Sequence, residues 1–81
     1  MGTRVAVMAI IVEKEAAVAK LNENLHEFSS YIIGRMGIPY KPKGINVISI
    51  ALDAPADTIS ALAGKLGNID GLSVKTALSN V

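Results

Sequence analysis

Val5-Ala6-Val7-Met8-Ala9-Ile10-Ile11-Val12 runs without a polar side chain, and its apolar residues fall on both alternations of an extended chain. Eight residues are far too few to span a membrane and short for a core helix, while the β-branched content suits a strand with apolar side chains on both faces. The pattern returns from Ile45 to Leu52: Ile45, Val47 and Ala51 point one way, and Ile48, Ile50 and Leu52 the other. Two such strands in one short chain define the middle of a sheet. The other segments must flank or cover it.

Between them, Lys14 to Phe28 places Ala17, Val18, Leu21, Leu25 and Phe28 at three- and four-residue steps, with Lys20, Glu23, Asn24 and Glu27 opposite, which predicts an amphipathic helix. Ser29-Ser30 ends it, and Tyr31 to Met36 reads as a strand. Gly37 to Gly44, with Pro39 and Pro42, reads as a stiff hairpin loop whose prolines blunt a nearby edge. After the second central strand, Pro55 fits a first helical position and Asp57 the first turn. Ile59, Leu62, Ala63 and Leu66 make the buried stripe of this helix, and Gly67 suits a left-handed cap. Asp70-Gly71 turns the chain into a last strand with Leu72, Val74, Thr76 and Leu78 on one side and Ser73, Lys75 and Ala77 on the other.

The order βαββαβ predicts an α+β, ferredoxin-like fold: a four-stranded antiparallel sheet with two helices on one face, forming a single domain over residues 1–81. Helices on one face leave about six aliphatic side chains of the central strands bare on the other, whose burial is worth on the order of 10 kcal/mol. A bare patch of that kind predicts a homo-oligomer joined through the sheet face or a sheet edge. A domain this small buries little of its unfolded surface alone, which points the same way.

Eight basic against seven acidic residues give a net charge of +1, with none of the basic excess that phosphate-backbone binding requires. Direct nucleic-acid binding is therefore not indicated. The absence of cysteine excludes disulfides, thiolate metal sites and iron–sulfur ligation, and suits a reducing, anaerobic cytosol. The apolar run after Arg4 meets Glu13-Lys14-Glu15 too soon for a secretory signal, so a cytoplasmic protein with no membrane attachment is expected.

Reactive side chains are few. His26, the one histidine, lies on the flank of the first helix near Asn22 and Ser29, where it could serve as a base or ligand or be a plain solvated residue. Arg35 lies beside Gly34 and Gly37 in the only local concentration of positive charge, with Lys41 and Lys43, and could hold a carboxylate or phosphate where glycine lets the backbone approach. Arg35, Gly37 and His26 are thus the candidate ligand-binding residues; no catalytic residue, metal site or cofactor is indicated. Gly64-Lys65-Leu66-Gly67 superficially looks like a phosphate loop but falls at a helix C-terminus, where the dipole repels anions. The aromatic, Cys-x-x-Cys and multi-histidine signatures of other proteins sharing this topology are missing. Two alternatives to a non-enzymatic binding module stand beside it: a small dimeric interface enzyme using His26 and Arg35, and an electrostatic DNA contact through Arg35, Lys41 and Lys43 arrayed on an oligomer.

Arg35-Met36-Gly37-Ile38-Pro39-Tyr40 and Thr58 to Gly71, continued through Val74-Lys75-Thr76 and joined by Asn22 to Ser29, resemble the short ACT-like proteins assigned as regulators of the iron-only hydrogenase system in anaerobic bacteria. The pairing of Arg-x-Gly-x-Pro with Gly-Lys-Leu-Gly carries the resemblance. It implies an ACT-like fold and a regulatory role exerted through a hydrogenase-system or transcription-related protein, and it supplies no catalytic residues. Amino-acid-binding ACT domains usually carry a glycine-bearing turn after the first strand. Glu13-Lys14-Glu15 stands there instead.

Overall fold

The computed structural model describes residues 2–81. Strands β1 (Arg4–Val12) and β3 (Ile45–Ala54) pair antiparallel at the centre of a four-stranded sheet. β2 (Ile32–Tyr40) lies outside β3 and β4 (Leu72–Leu78) outside β1, giving the order β2-β3-β1-β4 with every pairing antiparallel. Helix α1 (Val18–Glu27) follows β1 and α2 (Ala56–Gly67) follows β3. The expected βαββαβ order and inner pair are both present.

One parity of each central strand carries the core. Ala6, Met8, Ile10 and Val12 of β1 and Ile48, Ile50, Leu52 and Ala54 of β3 are buried with Leu21 and Leu25 of α1 and Ile59, Leu62 and Leu66 of α2. The other parity faces away from the helices. Register aligns Val7 with Ala51 and Ala77, Ala9 with Ser49 and Lys75, and Ile11 with Val47 and Ser73 on that open face. No polar or charged residue is buried among the described residues, so the core is held by apolar burial and packing.

Local structure departs from the sequence reading in three places. The first helix begins as a 3-10 turn at Glu15–Ala17 and becomes α-helical only at Val18. β2 does not stop at Met36: it continues through Gly37 and Pro39 to Tyr40, and the connection shrinks to the turn Lys41–Lys43 with Gly44 left-handed (φ +64°). Pro39 is compatible because β2 is an edge strand, where a missing N–H can face solvent. Gly67 is the last residue of α2 and not a left-handed cap. The left-handed glycine at this end is Gly71 (φ +93°), in the turn into β4.

Charged residues fasten the end of the sheet where β1 gives way to α1. The Glu13 N–H donates to the Gly71 carbonyl at 2.7 Å, and Lys14 Nζ donates to Asp70 Oδ2 at 2.8 Å. That hydrogen bond first, and the paired charge second, hold the Asp70 carboxyl below its ordinary 3.8 and the Lys14 ammonium above its ordinary 10.5. The pair's contribution is complete above the pH at which unfolded Asp70 titrates and is lost as pH falls through the lowered folded value. At the alkaline end it is complete below 10.5 and is lost as pH rises through the raised Lys14 value. Both groups are exposed to solvent, so the effect on stability is small. A carboxyl NMR titration should give Asp70 a midpoint under 3.8 that returns to the ordinary value in Lys14→Gln.

At the opposite end, the last residues return beside β1. The Val5 N–H donates to the Val81 carbonyl (2.8 Å), the Ser79 N–H to the Val5 carbonyl (2.9 Å), and Arg4 Nε to the Ser79 carbonyl (2.7 Å).

Candidate functional site

The sheet leaves β2 uncovered. Of its nine residues only Ile32 is half-buried and the rest are exposed, because α1 and α2 pack over β1, β3 and β4 and no element lies beyond β2. Along the helix-side face of β2, parity places Arg35, Gly37 and Pro39, opposite Ile50, Ile48 and Asn46 of β3. A small residue at Gly37 and a flat one at Pro39 leave a groove between this strand and α1.

The groove has three contiguous parts. Nearest the β2–β3 turn, a recess of about 550 Å³ is lined by Val18 and Ala19 of α1 with Pro39, Tyr40 and Lys41. The middle recess, about 210 Å³, has walls from Val12, Val18, Leu21 and Ile48 and polar groups from Asn22, Arg35 and Asn46. The last, about 360 Å³, is bounded by Asn22, Leu25, His26, Ser29, Ile32 and Arg35. Arg35 and Asn22 border both the second and the third.

Arg35 Nη2 donates to Asn22 Oδ1 at 2.9 Å, which fixes the guanidinium over the groove with a neutral acceptor. The ion pairs among the described residues are Lys14–Asp70 and Lys65–Glu27, so Arg35 has no carboxylate partner there. His26, one helical turn beyond Asn22, is exposed on the rim of the same depression. A Cβ at Gly37 would sit 3.9 Å from Ile48 Cγ1, an ordinary contact, so a side chain there would fit and would take space from the middle recess.

The structure therefore brings Arg35 and His26 to one depression and Gly37 to the adjoining one. Lys41 and Lys43 do not join them: they stand six or more residues along from Arg35, about 20 Å at the rise of a strand. Sequence reading missed Asn22 as the acceptor that orients Arg35, and Asn46 in the middle recess. Asn22 was detectable in principle from its i, i+4 spacing to His26; Asn46 required the β2–β3 register. Ser29 and His26 border one depression, but no hydrogen bond joins hydroxyl and imidazole, and among the described residues no three His, Cys, Asp or Glu side chains converge as a metal site.

The second candidate surface is the open sheet face. Val7 (42% exposed) and Val47 (37%) stand on its two inner strands, while Met36 (62%), Ile38 (55%) and Tyr40 (47%) extend it onto β2. The β4 side carries Ser73, Lys75 and Ala77 at the aligned positions. The face therefore grades from apolar at β2 to polar at β4. No helix among the described residues is long and apolar enough to cross a membrane.

Residues 4–76 match a protein family described as "TM1266-like: Iron-only hydrogenase system regulator, putative". Among solved structures, the uncharacterized protein TM1266 from Thermotoga maritima superposes with a TM-score of 0.90 at 40% identity, over 94% of this chain and 96% of that one. The ACT domain of GTP pyrophosphokinase from Chlorobium tepidum gives a TM-score of 0.78 at 18% identity, over 93% of this chain and 99% of that one. The C-terminal domain of MgtC from Mycobacterium tuberculosis gives 0.75 at 13%, over 96% and 89%. The last two likenesses concern the fold, which is ACT-like. No protein of curated function matches the chain.

Proposed function

The chain belongs to the TM1266-like family of iron-only hydrogenase system regulators, and from that membership we propose that it is a non-enzymatic regulatory module, working as a homo-oligomer and binding a small ligand with Arg35, Gly37 and His26. The observation that carries the assembly is the open sheet face, apolar on its β2 side. At nine residues and four strands the whole face, its polar β4 side included, measures about 30 Å by 19 Å, or about 600 Å² in projection, comparable to the ~800 Å² of accessible surface each partner contributes to a standard interface. A second copy is the occupant such a face suits, because a flat apolar patch can be its own complement about a two-fold axis.

The regulatory reading is supported by the family and by a groove that offers recognition groups without catalytic ones. An exposed His26 in an open depression argues against the interface enzyme. Separation of Lys41 and Lys43 from Arg35, with a net charge of +1, argues that any effect on gene expression passes through a partner protein.

Two measurements test the proposal. Co-expression of two differently tagged copies should yield both in a single-tag pull-down at near-equal amounts; recovery of one copy alone would remove the assembly. Deleting the gene in an anaerobic host should change the level or activity of the iron-only hydrogenase, while the purified chain turns over no hydrogenase substrate. Unchanged hydrogenase in the deletion strain would remove the regulatory role.

A further inference from the structure

We propose that the groove between α1 and β2 binds a small aliphatic carboxylate lacking an α-ammonium group, with its head on Arg35 and its tail in the recess beside Gly37. The proposal deepens the ligand-binding reading above and rests on it. Its first support is a guanidinium with no acidic partner: Asn22 Oδ1 accepts from Nη2 at 2.9 Å, and no carboxylate among the described residues pairs with the remaining donors, which face solvent. Guanidinium presents its donors in a planar fork that matches a carboxylate. Ser29 and His26 border the same depression, so a hydroxyl and an imidazole stand nearby for further hydrogen bonds.

The second support is what lies on the other side of Arg35. The middle recess is walled by Val12, Val18, Leu21 and Ile48 and has about 210 Å³, the liquid volume of about seven water molecules. Gly37 keeps it open, since a side chain there would meet only an ordinary contact at Ile48. A charged head beside a short apolar slot describes a branched or straight chain of a few carbons. Each methylene buried multiplies affinity about fourfold, so even a partly enclosed tail should be felt.

The third support is the absence of acid beside Arg35. No aspartate or glutamate borders either of the two recesses that Arg35 shares; the groove's acidic residue, Glu15, lines the recess nearest the β2–β3 turn, which Arg35 does not border. An α-ammonium placed beside the carboxylate would be desolvated next to the Arg35 cation, with only neutral acceptors (the Asn22 and Asn46 amides, the Ser29 hydroxyl and the His26 imidazole) bordering the two recesses and no carboxylate to offset the repulsion. The groove thereby separates a carboxylic acid from the amino acid of the same skeleton.

The matched probes are 4-methylpentanoate and L-leucine, which differ by that one group, together with acetate and inorganic phosphate, titrated calorimetrically into the full chain. 4-Methylpentanoate should bind at least tenfold more tightly than each of the other three. Arg35→Gln should weaken it at least tenfold, and Gly37→Val should bring it down to the level of acetate while circular dichroism stays native. Leucine or phosphate binding as well as 4-methylpentanoate, and weakened by Arg35→Gln, would overturn the ligand class but leave the groove a ligand site. Equal affinity of 4-methylpentanoate for wild type and Arg35→Gln, or no binding by any probe, would overturn both.

Discussion

Placing a carboxylate at Val47 should reduce the particle in solution to a single chain of 8.5 kDa, where the wild type, as the proposed homo-oligomer, should scatter light as twice that mass or more. Val47 sits on β3 beside Ile11 and Ile38 at the apolar end of the open face. In the lone chain it is already 37% exposed, so glutamate there can reach water without disturbing the helix-side core. In the proposed assembly the same carboxylate would lie inside an apolar contact, with no cation of its own chain aligned beside it, since Lys75 is two residues along and two strands away. Burying an unpaired charge costs several kcal/mol, enough to raise a dissociation constant by three or more powers of ten. Multi-angle light scattering checks the mass and circular dichroism checks the fold. A wild type that is monomeric at working concentration, or a Val47→Glu variant that keeps the wild-type mass, would remove the assembly from the account.

Gly71→Ala should cost about 3 kcal/mol, from an αL penalty of ~1–2 kcal/mol and a steric contribution of similar size. The backbone there has φ +93°, and a Cβ would lie 2.7 Å from Lys14 Cβ. Lys14 Cβ is the root of its side chain, so relief requires the backbone after β1 to shift, and with it the Glu13–Gly71 hydrogen bond. For a domain of this size 3 kcal/mol lowers Tm by roughly 12–24 °C. Gly44 provides the control: φ is +64° but nothing lies within 4 Å of its Cβ position, so Gly44→Ala should show only the conformational cost, about 1 kcal/mol. Equal melting temperatures for the two variants would mean that the Lys14 contact carries no weight.

Much of this molecule is legible before folding because burial leaves a period in the chain. The double-sided apolarity of Val5–Val12 and Ile45–Leu52 identifies the inner strands, but for that same reason it does not say which face the helices cover; only the folded chain assigns the parity of Ile48, Ile50 and Leu52 to the core. β2 is less legible for a physical reason. An edge strand exposed on both faces has no burial period to impose, so Gly37 and Pro39 read as a loop although they continue a strand. Gly67 misleads because glycine marks a left-handed cap only where the chain needs positive φ, and that need falls at Gly71. At the candidate site Arg35 and His26 are conspicuous as isolated reactive residues. Their company is not: Asn22 comes to Arg35 across 13 positions, and Asn46 reaches the groove only through its pairing with Pro39.

The return of Ser79 to Val81 beside Val5 means that both ends of the described chain leave the sheet at one corner, on the β4 side. β2 lies beyond β3 from that corner, roughly 10 Å of sheet from β1. A fusion partner or affinity handle attached at either terminus is thus joined on the β1–β4 side of the sheet, two or three strands across from β2, which makes terminal tethering the natural way to immobilise the protein with its recognition edge free.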